Sequence, residues 1–153
     1  METDGKRVKD SETMQVQVLS QAHMNGYNRL FGGQLMSWMD IVAGVTARRH
    51  SGRNVTTARV DGLEFHHPAY ANDTMELRGR VAYTGNTSMI VKVEAYVETL
   101  DGHRQLTNRA WFLMVALDEN EHPAPVPKLL VETEEERNTW QEAEALKQSY
   151  RRS

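Results

Sequence analysis

Asp40 is the residue least suited to its surroundings. It lies in the run from Leu35 to Ala47, where Leu35, Met36, Trp38, Met39, Ile41, Val42, Ala43, Val45 and Ala47 fall on nearly every side of a helical spiral and leave no broad polar face. Such a helix is expected to be wrapped by other structure. An aspartate is almost never enclosed unless a partner holds it or chemistry uses it. Two readings follow: a structural carboxylate, paired for instance with an arginine on a neighbouring strand, or a reacting one. Gly44, one turn later on the same face, removes bulk beside the carboxylate, and Gly32 and Gly33 let the backbone at the helix start approach a ligand closely, although both could serve only close packing. The first N–H groups of a helix lack intrahelical partners and sit at the positive end of its dipole, where they can hold an oxyanion. A carboxylate two turns from such a start suits acyl transfer.

The elements that must position this helix are legible on either side of it. Residues 1–12 are polar and expected to be disordered, having too few apolar side chains to offset the cost of ordering. Met14, Val16 and Val18 alternate with Gln15 and Gln17, which predicts a short strand burying the apolar row. The loop from Ser20 to Arg29 delivers the chain to the helix, and functional residues favour such loops. Beyond the helix, Val55 to Phe65 reads as a strand with a bulge near Gly62. Met75, Leu77, Gly79, Val81 and Tyr83 alternate with charged residues. After the hairpin turn Thr84-Gly85-Asn86-Thr87, so do Met89, Val91, Val93, Ala95 and Val97. Asp101-Gly102 turns the chain into a last long strand, about Gln105 to Leu117. Pro123, Pro125 and Pro127 make a stiff linker, and Thr133 to Glu136 is a capping box opening a final helix with the apolar stripe Trp140, Ala143, Leu146 and Tyr150. One apolar helix followed by antiparallel strands implies an α+β domain over residues 13–122, a curved sheet around a central helix, with the linker and helix of 123–153 appended. The sheet keeps a free edge, and a dimer joined through it would hide the exposed ladder.

Composition narrows the function. At 153 residues the chain buries roughly 68–70% of its unfolded surface without metal or disulfide staples. The absence of cysteine excludes thiolate catalysis and cysteine-ligated metals and makes a cytoplasmic location the expectation. A net charge of −3 argues against a nucleic-acid partner, and no apolar run approaches the about 20 residues that span a bilayer, so no membrane partner is expected. His66 and His67 are adjacent on a strand and point to opposite faces, and the other histidines are scattered, so no metal site is expected. No cofactor-binding motif of the dinucleotide or P-loop kind occurs.

Taken in order, Asn25 followed by LFGGQLMSWMD, then NVTTARVDGLEF, YTGNTSM and PVPKLLVETEEER resemble the HotDog-fold acyl-CoA thioesterases, in particular the bacterial acyl-CoA hydrolase and brain-type cytosolic acyl-CoA hydrolase group. The resemblance runs from about Met14 to Arg137 and is specific as a set. It implies a HotDog fold over 13–122 and edge-to-edge homodimers that assemble into hexamers, as trimers of dimers. The activity implied is hydrolysis of acyl-CoA to CoA and a carboxylic acid, without a cofactor. By position it makes Asp40 the catalytic carboxylate, Asn25 the asparagine that works with it from the other subunit, and Thr57 a threonine assisting the nucleophile. It also makes the turn Gly85, Asn86, Thr87 and Ser88 a CoA-contacting loop. The chain departs from the pattern at Asn28 and Arg29, where relatives carry Gly and a small polar residue, and at Asn86, where they carry Arg.

On this reading Asp40 activates water as a general base or attacks the carbonyl to form an anhydride, and backbone N–H groups near Gly33 hold the thioester oxygen. A thiol leaving group with a pKa of about 8.5 departs with little protonation, so a base and an oxyanion site suffice. Bland readings stand beside these: Asn25 as a turn residue, Thr57 as an ordinary strand residue, Gly85 and Asn86 as turn chemistry. A non-catalytic HotDog module that binds acyl-CoA as sensor or carrier, with Asp40 structural, is the alternative from a different functional class.

Overall fold

The computed structural model describes residues 5–151. In chain order these form β1 (Gly5–Arg7), α1 (Val8–Ser11), β2 (Thr13–Val18), a 3-10 turn (Gln21–His23), α2 (Gly32–Ser51), β3 (Asn54–Phe65), β4 (Thr74–Thr84), β5 (Ser88–Glu98), β6 (Arg104–Leu117), β7 (Lys128–Leu130) and α3 (Glu134–Tyr150). α2 ends where Gly52 takes a left-handed φ of 69° and donates its N–H to the Arg48 carbonyl. The expected capping box of α3 is kept in part. Thr133 Oγ1 accepts the Glu136 N–H at 3.0 Å, while the Glu136 carboxylate accepts the N–H of Glu132 at 2.8 Å, one residue ahead of the cap.

Strands β2 to β6 make one antiparallel sheet in the order β2-β4-β5-β6-β3. α2 touches all five strands, so the sheet curls around it. With α3 appended, this is the expected α+β HotDog arrangement. The β3–β6 register slips between Asp61 and Glu64, where Gly62 has a φ of 65°, at the expected bulge. The core lies between α2 and the inner face of the sheet. Leu35, Met39, Val42, Ala43 and Ala47 meet Met75, Leu77, Val91, Val93 and Phe112, all of them buried. Each large side chain so buried contributes about 1.5–3 kcal/mol. Gly79 is the point of closest approach: a Cβ there would stand 2.6 Å from Thr46 Oγ1 and 2.8 Å from Val42 Cγ1.

Several expectations are corrected. The β2 row Met14, Val16 and Val18 is not buried but 51%, 61% and 59% exposed, because pairing with β4 sets Gln15 opposite Leu77 and Gln17 opposite Met75 on the inner face. Tyr83 does not continue the inner row of β4. A register shift after Val81 turns it outward, where its ring lies 4.5 Å from that of Trp140 on α3. The lead-in of residues 1–12 is ordered from Gly5 onward. β1 pairs in parallel with β7, Val8 is buried, and Lys6 and Arg49 bridge the segment to the end of α2, Lys6 through the Arg49 carbonyl at 3.0 Å and Arg49 through the Glu12 carbonyl at 3.0 Å. Residues 1–4 lie outside the described residues. The proline linker is pinned too, Ala124 donating to the Ala116 carbonyl and Val126 to that of Asn86, both at 2.9 Å. α2 is not wrapped on every side, for Ile41 is 53% exposed and Asp40 lies beside it in the open.

His50 closes the far end of α2. It is fully buried, its Nε2 lies 2.7 Å from the Pro127 carbonyl, and its Nδ1 has no partner among the described residues. Burial first, and the charge of Lys6 with it, hold its pKa below the ordinary 6.5 against the opposing pull of the Pro127 hydrogen bond and Asp10.

Two stability predictions follow. Gly79→Ala should lower unfolding stability by about 1–3 kcal/mol in urea titrations at fixed protein concentration; an unchanged midpoint would mean slack between α2 and β4. Because the folded-state pKa of His50 is depressed, the unfolded chain binds the extra proton. The stability contributed by the neutral ring is therefore complete above pH 6.5 and is lost as pH falls below it. The wild type should lose up to about 1.4 kcal/mol per pH unit more than His50→Gln in that window; parallel pH profiles would contradict the assignment.

Candidate functional site

The exposed face of α2 carries the carboxylate. Asp40, Ile41, Gly44, Val45 and Arg48 recur at helical spacing, and with Val55, Thr57 and Met114 from the sheet they line an open cleft of about 260 Å³. Thr57 projects from β3 just before a register slip and donates its hydroxyl to Asp40 Oδ1 at 2.7 Å, with Met114 Sδ at 3.5 Å as a second acceptor. No cation pairs with Asp40 among the described residues, so the arginine-paired structural reading has no support in the fold. A Cβ on Gly44 would meet nothing within 4 Å, which leaves the space beside the carboxylate clear. One carboxylate oxygen is thus held by Thr57, in a cleft whose lining mixes Ile41, Val45, Val55 and Met114 with Arg48.

Asn25 lies elsewhere. Its Oδ1 accepts the N–H groups of Tyr27 at 2.8 Å and Arg29 at 3.2 Å, closing a tight loop in which Asn28 takes a left-handed φ of 59°. That conformation accounts for an asparagine at position 28, since Asn tolerates it far better than most residues. With its oxygen engaged, the Asn25 amide keeps its N–H₂ for another group. It borders a second cleft, of about 250 Å³, with Arg29, Leu35, His66, His67 and Asn108, and shares no lining residue with the Asp40 cleft. One chain therefore does not bring Asn25 and Asp40 together.

The helix start belongs with Asn25. Phe31 is the N-cap residue of α2 and supplies no side-chain cap, so the first amides are left open. Gly33 makes room for the Phe31 ring, which would stand 2.6 Å from a Cβ there, whereas a Cβ on Gly32 would make only ordinary contact with Phe65 at 3.5 Å. Gly33 lies two turns, roughly 10 Å, ahead of Asp40, and helix amides point toward the N-terminus. These amides aim away from the carboxylate of their own chain.

The turn Gly85, Asn86, Thr87 and Ser88 lies near the Thr57 end of the sheet. Val115 pairs with both Thr56 and Ser88, which puts Ser88 two strand spacings, roughly 10 Å, from the neighbour of Thr57. Lys147 of α3 reaches this turn, with Nζ 3.0 Å from Ser88 Oγ. Arg48, Met114 and Lys147 were not singled out from the sequence. Arg48 lies two turns beyond Asp40 and was open to a helical-spacing count, but nothing local signals a contact between residues as far apart in sequence as Lys147 and Ser88.

Residues 27–101 match the thioesterase superfamily model. An uncharacterized acyl-CoA thioester hydrolase of Bacillus subtilis is 38% identical over 138 residues, covering 89% of this chain and 80% of that protein. The crystal structure of an apo-hexameric acyl-CoA thioesterase superposes with a TM-score of 0.93 at 35% identity, covering 97% of this chain and 96% of the other. An acyl-CoA hydrolase from Staphylococcus aureus, in complex with butyryl-CoA, CoA and CoA disulfide, superposes with a TM-score of 0.90 at 27% identity, covering 96% and 92%. Alanine variants of that enzyme at an asparagine, an aspartate and a threonine have also been solved, and the three positions stand in the order and at the spacing of Asn25, Asp40 and Thr57. On sequence and fold together, this chain belongs to the thioesterase superfamily, among the acyl-CoA thioester hydrolases.

Proposed function

We propose that the protein hydrolyses the thioester of acyl-CoA to free CoA and a carboxylic acid at a site shared by two subunits, Asp40 and Thr57 of one facing Asn25 and the α2 start of the other. The observation that carries this reading is the Asp40 carboxylate itself: among the described residues no cation holds it, the Thr57 hydroxyl fixes it at 2.7 Å, and it sits in an open cleft beside Ile41, Val45 and Met114. The surface around it lacks a cover. Ile41 is exposed beside Asp40, and among the described residues β3 pairs with β6 on one side and with no strand on the other, so an edge ladder runs along the same side. A second copy docked there would cover both and carry its own Asn25 and α2 amides toward the carboxylate. The hexameric neighbour and the alanine variants at the matching positions support this, and we extend the reading to a hexamer built from such dimers.

The chemistry then divides among named groups. Asp40, steadied by Thr57, takes a proton from water as that water attacks the thioester carbon, or attacks the carbon itself to give an anhydride that water opens. The partner's α2 amides hold the oxyanion, and the free N–H₂ of the partner's Asn25 orients the water or the carbonyl. The thiolate leaves with little help.

Release of free thiol from an acyl-CoA panel tests the activity. Asp40→Asn should lower kcat by about 10²–10⁴-fold while CoA binding, read by calorimetry, stays close to wild type. Normal binding with an unchanged rate would remove Asp40 from the mechanism, and binding without thiol release in the wild type would favour an acyl-CoA-binding module. Mixed oligomers of Asn25→Ala and Asp40→Ala subunits test the shared site. Random mixing should restore about a quarter of the wild-type sites, and no recovery in verified mixed oligomers would place both residues in one subunit's site.

A further inference from the structure

The cleft that Asn25 borders has walls fixed by backbone hydrogen bonds. The Asn25 N–H donates to the Arg29 carbonyl at 2.7 Å, the Leu30 N–H to that of Ala69 at 2.8 Å, and the His66 N–H to that of Thr107 at 2.7 Å. The entry loop, the segment after β3 and strand β6 are thereby tied around one hollow of about 250 Å³. It has a floor, since Leu35, Ala69 and Asn108 of its lining are 1%, 4% and 2% exposed. The volume lies below the about 300–1,000 Å³ of cavities that enclose drug-sized ligands, and suits a short chain end better than a nucleotide or a long fatty chain.

Polarity in the hollow is one-sided. Arg29, His66, His67 and Asn108 line it together with aliphatic Leu30 and Leu35, and no carboxylate does. Among the described residues the Arg29 guanidinium has no hydrogen bond or ion pair, and the His67 ring has no partner. His66 Nε2 lies 3.2 Å from the carboxylate of Glu64, a residue outside the lining. Asn108, the buried polar member, donates one amide N–H to the Glu64 carbonyl at 3.2 Å and keeps the other. An unpaired guanidinium is a planar fork that matches a carboxylate, and imidazole and amide N–H groups beside it add further donors.

The position of the hollow identifies which part of a substrate would carry the anion. In the shared site proposed above, Asn25 and the α2 amides of one subunit hold the thioester carbonyl. The hollow belongs to that same subunit, with Asn25 on one wall and Leu35 of the first α2 turn on another. The acyl chain starts at the carbonyl carbon, whereas the phosphates of CoA are separated from it by the whole pantetheine arm. A negative group that enters this hollow is therefore the far end of a short acyl chain.

We propose that the hollow is an acyl subsite selecting short acyl groups that end in a carboxylate, with the Arg29 guanidinium holding that carboxylate beside the His67 ring and the Asn108 amide. This assignment rests on the acyl-CoA reading above and names its substrate class. Water adds to the thioester carbon and the carbon–sulfur bond breaks. One proton of the water goes to the CoA sulfur and the other leaves the new carboxyl group, so the products are CoA and a free dicarboxylate.

Two substrates of equal length test it: glutaryl-CoA, which ends in a carboxylate, and pentanoyl-CoA, which ends in a methyl group. In the wild type kcat/KM should be about tenfold or more higher for glutaryl-CoA, the size of one charge-assisted hydrogen bond. Arg29→Gln should remove most of that ratio and Arg29→Lys should keep part of it. A ratio near one in the wild type, or one that survives Arg29→Gln, would overturn the proposal, as would dodecanoyl-CoA turned over as fast as glutaryl-CoA. Glutaryl- and pentanoyl-pantetheine, which lack the nucleotide, should show the same preference. If Arg29→Gln weakens both CoA thioesters alike and neither pantetheine thioester, Arg29 reads a phosphate of CoA and the acyl assignment falls. Calorimetric titration of both acyl-CoAs into Asp40→Asn separates this from failure of the proposed activity. Tighter binding of glutaryl-CoA supports the subsite even where the wild type releases no thiol, and equal affinities refute it even where thiol is released.

Discussion

α2 presents more apolar surface than its own sheet can cover, and much of the molecule follows from that mismatch. The five strands take up Leu35, Met39, Val42, Ala43 and Ala47 on one side, down to the hard contact at Gly79. Ile41 and Val45 stay on the other side, together with Asp40 and Arg48. Beside this face runs β3, whose outer N–H and C=O groups pair with no strand among the described residues. An uncovered apolar helix face and an unpaired edge are two liabilities, and both lie on one surface. A second copy would relieve them together, which is why the proposed dimer is placed there.

The same geometry explains why an aspartate can stand in so apolar a helix. In the single chain Asp40 is exposed, so it bears no cost of enclosure, and among the described residues its hydrogen-bond partner is the Thr57 hydroxyl. In the proposed dimer it becomes enclosed only as the partner brings polar groups toward it: the N–H₂ of Asn25, already freed because its Oδ1 is tied to Tyr27 and Arg29, and the uncapped amides of α2. Excluding water from a cleft lined by Ile41, Val45 and Met114 strengthens each of those interactions.

What the sequence discloses and what it withholds divide along physical lines. Local signals were legible: the helix from the double glycine to Gly52, the hairpins, the bulge at Gly62 and the Thr133 cap each depend on residues within a few positions. Facing was not. The alternation of Met14, Val16 and Val18 shows that they share a face, but period two cannot say which face meets the core. Pairing with Leu77 and Met75 gave that place to Gln15 and Gln17. Order in residues 5–11 was invisible for a related reason, since Val8 is the core side chain it offers and the rest comes from β7 and from Arg49, far along the chain. Asp40 stood out as an anomaly, yet the reason it is tolerated, an open face, is a property of the packed sheet.

The outer face shows how one local irregularity determines where a distant element goes. β4 keeps Met75, Leu77, Gly79 and Val81 toward α2, and the register shift after Val81 then turns Tyr83 outward, where Ile90, Trp111 and Leu113 join it from the neighbouring strands. This is the seat on which Trp140 and Ala143 of α3 rest. The exposed side of α3 is almost wholly polar, so its stripe is too narrow for the helix to hold a position without that seat. Had β4 continued without the shift, Tyr83 would point inward and α3 would lose its ring contact at Trp140. Lys147 would then have no fixed path to the turn at Ser88. The bulge thus does more than bend a strand: it sets which face of the sheet receives the C-terminal helix, and through that helix where a cation reaches the end of the sheet.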